Sequence, residues 1–140
     1  MTPREELDSL LDAAMRKALR LVQEQRTHMP FAMVIGTNGE QAEITGDDSG
    51  VDDPQARHAW ITQQVAAAIA AGRYRAVAVA RNIELTHNKT GKRADAIEVT
   101  LDHIGDQAVT CYMPYDLGRG RLSTGELVAT APAASFFARK

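Results

Sequence analysis

Apolar side chains recur at helical spacing at the start of the chain: Leu7, Leu10, Leu11, Ala14, Ala18, Leu21 and Val22 stand mostly three or four positions apart. The stripe predicts an amphipathic helix. Thr2 caps it, Pro3 suits its first position, and Glu5 completes a T-x-x-E capping box. Arg16, Lys17 and Arg20 load the later turns, where positive charge offsets the helix dipole. Such a stripe has to dock, either on the rest of the chain or on a second copy.

After QRTHMP the pattern changes to alternation. FAMVIGTNGEQAEIT predicts a β-hairpin with a two-residue type I′ turn at Asn38-Gly39, where both central residues need positive φ. Phe31, Met33 and Ile35 share one face of its first strand, and Ala32 and Val34 the other. GDDSGVDD is a polar run leading to a second helix, capped by Asp52 or Asp53 with Pro54 in its first turn. Ile61, Val65 and Ile69 are its apolar stripe, flanked by Trp60, and Gly72 ends it.

The rest predicts strands. YRAVAVARNIELT places Ala76, Ala78 and Ala80 on one face and Val77, Val79, Arg81, Ile83 and Leu85 on the other. A row of alanines lets a helix approach closely, so that face belongs under a helix. DAIEVTLDHIGDQAVTCYMPY predicts a second hairpin, with a type II′ turn at Gly105-Asp106. LVATAPAASFF adds an edge strand, since Pro132 does not suit a central one. The order is helix-strand-strand-helix-strand-strand-strand. It predicts a single α+β domain over residues 1–140: an antiparallel sheet of about five or six strands, with both helices on one face.

Composition narrows the classes. At 140 residues, 44% apolar and 24% charged, the chain suits one soluble domain with a core of its own. Its single cysteine, Cys111, excludes an internal disulfide and a four-ligand zinc site built on paired cysteines. The N-terminal residues resemble no export signal, and no apolar run is long enough for a membrane span, so a cytoplasmic, bacterial-type protein is expected. Net charge is −2, made of −5 over residues 1–60 (6 basic, 11 acidic) and +3 over residues 61–140 (10 basic, 7 acidic). That imbalance is too mild for a nucleic-acid binder.

Chemistry-bearing residues gather in the second hairpin. A nucleophilic Cys111–His103 pair needs thiol and imidazole within hydrogen-bond reach. With the turn at Gly105-Asp106, His103 lies opposite Ala108 and Cys111 opposite Thr100, so the two point to opposite faces. They also stand three residue pairs, roughly 10 Å, apart. A one-residue register change would move the faces without closing that distance, so Cys111 is expected to act as a small buried hydrophobe. His28, His58, His87 and His103 match no compact metal motif, and no metal or other cofactor is expected. Asp95, at the far end of the His103 strand face, reaches water at the sheet's edge.

Two basic loops, residues 86–93 and 117–121, bring together Lys89, Lys92, Arg93, Arg119 and Arg121. Neither is a P-loop; together they could form an anion- or partner-binding patch. If both helices lie on one face, Val77, Val79, Ile83 and Leu85 need cover on the other, and Phe136 and Phe137, next to a charged tail, add to the apolar surface. Exposed apolar area of that kind marks an interface.

By connectivity the chain resembles roadblock and profilin-type folds, an analogy of topology alone. PFAMVIGTNGE, followed by DAIEVTLDHIGDQAVTCYMPY and GEL, is similar to an uncharacterised family of small bacterial proteins in which a DAI-V-LEH strand precedes a Y-PY strand. That resemblance supports the second hairpin and brings no activity with it. The expected function is a non-enzymatic homodimerising or protein-interaction module. The alternative is a ligand- or anion-binding domain, or an enzyme, with a pocket near the two basic loops where Asp95, His103, Tyr115, Lys92 and Arg121 converge.

Overall fold

A computed structural model describes residues 2–25, 30–47, 49–86, 90–105, 108–118 and 121–130. Helix α1 (Pro3–Gln25) leads into the hairpin β1 (Phe31–Gly36) and β2 (Gln41–Ile44). Helix α2 (Pro54–Ala70) follows, then β3 (Tyr74–Thr86), β4 (Arg93–His103), β5 (Val109–Asp116), β6 (Ser123–Thr124) and β7 (Val128–Thr130). The fold is α+β. The seven strands of the described residues join one antiparallel sheet in the order β2-β1-β3-β4-β5-β6, with β7 pairing β5 as well.

Local chemistry explains the helix ends. Glu5 N–H donates to Thr2 Oγ1 (3.1 Å), and Thr2 N–H donates to Glu5 Oε1 (3.2 Å), the reciprocal capping box. Asp53 caps α2 by accepting from Ala56 N–H at 2.9 Å, and Gly72 follows its end at φ 74°. The first turn differs from expectation. Gly36 N–H donates to Glu40 O and Gly39 N–H to Gly36 O, so the loop holds three residues, Thr37 to Gly39. Only the last needs a left-handed backbone, and Gly39 supplies it at φ 89°. This is the turn-plus-bulge closure of three-residue hairpins rather than a two-residue type I′ turn.

The main correction concerns the helices: they pack on opposite faces. Ala76, Ala78 and Ala80 meet α1 in one cluster, with Phe31, Met33, Ile97, Val99, Leu101 and Cys111. Val77 and Val79 meet Ile61 and Val65 of α2 in a second cluster, with Ala32 and Val34. The physical reason is in β1, where Phe31 to Ile35 are all buried. A strand apolar on both sides requires a layer on both sides. Helix α1 packs on β1, β3 and β4, whereas α2 packs on β1 and β3, with His58 near enough to feel the charges of Arg81 and Glu98. On the same face, Ile83 and Leu85 of β3, Tyr112 and Pro114 of β5 and Val128 of β7 lie outside the cluster that α2 forms.

The second hairpin also differs by one residue. Thr100 pairs with Thr110 and Val99 with Cys111. Cys111 therefore faces the α1 side together with Leu101 and His103, not away from them as the Gly105-Asp106 turn implies. A register shift of one residue is enough to flip every side chain of β5. Asp106 lies outside the described residues.

Candidate functional site

Three places gather polar or accessible chemistry. The first lies at the end of the sheet beneath the start of α1. His103 ends β4 with 4% of its surface exposed, and Glu6, one turn into α1, is equally buried. Gly105 N–H donates to His103 Nδ1 at 2.9 Å, which leaves the ring proton on Nε2, directed at Glu6 Oε1 2.9 Å away. Arg75 closes the group, its Nε donating to both Glu6 oxygens at 3.1 Å and a terminal nitrogen donating to Oε2. The Arg75 guanidinium, ahead of the His103 contact, holds the Glu6 carboxyl below its ordinary range against the opposing effect of burial. Histidine, carboxylate and guanidinium in contact are an acid–base set in composition. In geometry they clamp α1 to β3 and β4, and none of the three cavities described here is lined by them.

The opposite end holds Asp95 and Tyr115, paired across β4 and β5. Tyr115 O–H donates to Asn82 Oδ1. Burial, and then the charge of Asp95, push the phenol up to about 12. Asp95 pairs with Glu84 and His103 with Ala76 on β3. Eight residues of strand, about 26 Å at 3.3 Å each, separate the two ends. The five residues expected around one pocket therefore do not meet: Asp95 and His103 stand at opposite ends of β4. Cys111, opposite Val99, is four residues along the ladder from His103, so a Cys–His pair is absent although both share a face. Burial pushes the Cys111 thiol up, away from thiolate chemistry.

Of the basic loop residues, Lys92 and Arg121 are exposed, and Arg93 Nη1 lies 3.3 Å from Glu84, itself exposed. Lys89 and Arg119 fall outside the described residues, as do His28, His87, Phe136 and Phe137. Among the described residues no three histidine, cysteine or acidic side chains are gathered as metal ligands, and no helix is long and apolar enough to cross a membrane.

The second place is the part of the sheet that α2 leaves open. Val77 and Val79 are not part of it: they are 0% and 1% exposed beneath α2. Ile83 is half-buried and Leu85 is 36% exposed, and with Tyr112, Pro114 and Val128 they line an open depression of about 450 Å³. Arg81 and Glu98 cross its floor as a cross-strand ion pair, Nε to Oε1 at 2.7 Å. The charges were visible in the sequence, but their pairing follows from the β3–β4 register. Tyr112, Pro114 and Val128 enter only because β5 and β7 shift into place beside them.

The third place is a cavity of about 460 Å³ between the first turns of α1 and strands β5 and β7. Its walls are Leu7, Leu11, Leu101, Val109, Cys111 and Leu127. Arg4 and Asp8 stand at its rim, Nε to Oδ1 at 3.6 Å. A smaller hollow of about 200 Å³ beside Phe31 is lined by Lys17, Asp47 and Arg57. Its charges are already spent: Lys17 pairs with Glu43, and Arg57 reaches Asp47 at 3.0 Å and the Val51 carbonyl at 2.9 Å. Arg57 thereby fixes the acidic loop before α2.

No protein-family model, curated protein or solved structure matches the chain.

Proposed function

We propose that this chain is a non-enzymatic binding module that assembles with a second copy of itself, or with a protein partner, through the open part of the sheet beyond α2. The observation that carries the reading is the depression walled by Ile83, Leu85, Tyr112, Pro114 and Val128. It joins aliphatic side chains, one tyrosine and an Arg81–Glu98 pair that lies beside α2, where His58 feels both charges. Aromatic and aliphatic anchors beside a polar pair are the composition of an interface core and its rim. The separation of His103, Cys111 and Asp95 weighs on the same side, because no nucleophile lies beside a base among them.

Self-association is favoured over an unrelated partner by the charge pattern. Arg81 and Glu98 lie side by side, so a two-fold axis that crosses the line between them at right angles sets each arginine against the other copy's glutamate. Analytical ultracentrifugation over low to high micromolar concentration tests this. A dimer whose affinity falls at least about tenfold with Leu85→Asp or Val128→Asp is expected. A strict monomer at the highest concentration removes the homodimer, and a dimer indifferent to both substitutions places the contact elsewhere.

A further inference from the structure

We infer that the cavity between α1 and β5 is a binding site for a linear aliphatic carboxylate, with its chain among Leu7, Leu11, Leu101, Val109, Cys111 and Leu127 and its head on Arg4.

The cavity follows from the way α1 is seated. The alanine row of β3 draws the helix down over β3 and β4, and Ala76, Ala78 and Ala80 are fully buried there. Strand β5 lies one position further out, and there Leu7 and Leu11 of α1 line the groove together with Val109 and Cys111. The space is open to solvent on one side, and its volume of about 460 Å³ is within the range of small-molecule sites, which are mostly apolar with few polar groups.

The head group is set by charge. Arg4 is 76% exposed and meets Asp8 only at 3.6 Å, an exposed pair worth little against a better ligand. A guanidinium takes a carboxylate through two parallel hydrogen bonds, which an ammonium or hydroxyl ligand does not offer it. Arg4 stands at the mouth of the cavity, so its guanidinium is placed to meet the head of a ligand whose chain lies among the leucines. This site lies on the α1 face, apart from the surface proposed for assembly, so the two readings fail separately.

The full chain, labelled at its methyl groups, is titrated by NMR with sodium decanoate, decan-1-ol and decylamine, each below its micellar concentration. Saturable decanoate shifts are expected at Leu7, Leu11, Leu101, Val109 and Leu127, with slower reaction of Cys111 toward a thiol reagent. Arg4→Gln is expected to weaken decanoate about tenfold, the scale of one charge-assisted contact, and to leave decan-1-ol unchanged. Leu11→Trp and, because Leu127 is more exposed, Leu127→Trp fill the space and abolish binding of both. Absence of saturable shifts, shifts confined to Ile83 and Val128, or equal affinity for decanoate and decylamine unaffected by Arg4→Gln each overturns the assignment.

Discussion

Glu6 is where a single side chain ties two layers together. It accepts hydrogen bonds from Arg75 and lies within hydrogen-bond distance of His103 Nε2, and it is 4% exposed. Glu6→Gln keeps the shape and removes the charge, which leaves both donors poorly matched. A loss of about 1–3 kcal/mol is expected at pH 7 from urea denaturation. The pH dependence has a definite sign. The folded carboxyl is held below its unfolded value, so its stabilisation is full above about pH 4.3 and is lost as pH falls through the folded value. The gap between parent and variant therefore narrows on acidification; a gap constant down to pH 3 would remove charge from the explanation. Tyr115 has the opposite sense. Its phenol is raised to about 12, so folding favours the neutral form and stability declines as pH rises from the unfolded value near 10. Tyr115→Phe is expected to cost about 1 kcal/mol at pH 7 by removing the bond to Asn82. It also flattens the alkaline decline, read by denaturation at pH 8 and 11. In the sequence His103 and Tyr115 were visible as residues, but not their partners: Glu6 is 97 positions from His103, and only the docking of α1 brings them together.

The elements themselves were more legible than their arrangement. Both helices, the alanine row and the second hairpin follow from period and capping, because those signals are local. The side on which α2 packs is not local. Its stripe of Ile61, Val65 and Ile69 states that it docks, and the run Phe31 to Ile35 contains the answer, since Ala32 and Val34 are as buried as Phe31 and Met33. Register was lost for a similar reason: one residue in a loop decides which way Cys111 points, and glycine alone does not fix the loop length. If α2 is the cover for Val77 and Val79, shortening its central anchor should loosen that helix first. Ile61→Ala is expected to destabilise by about 2–5 kcal/mol, the range for a fully buried isoleucine. Trp60, the only tryptophan, packs over Gly46 and reports on α2. Its fluorescence should therefore change at lower urea than the far-ultraviolet signal of the sheet. Coincident transitions at an unchanged midpoint would show that α2 is not a separate layer in the energetic sense.

At the scale of the molecule, a helix on each face leaves the sheet covered unequally. Helix α1 packs on three strands and α2 on two, so apolar side chains of β3, β5 and β7 outside α2 meet solvent in the isolated chain. Leu85 and Val128 are 36% and 48% exposed. Burying them against a second copy couples assembly to folding, since whatever binds the native state alone stabilises it by mass action. The melting temperature of the parent chain should then rise with protein concentration. Above the dissociation constant the rise is roughly 2–3 °C per tenfold, taking half of RT ln 10 for each subunit and a domain of this size. Leu85→Asp should abolish the slope while leaving the melting temperature at the lowest concentration nearly unchanged, because an exposed aspartate at that position disturbs no buried neighbour. A variant that melts lower at every concentration with the slope intact would assign Leu85 to the subunit's own stability and return the open surface to a partner of another kind.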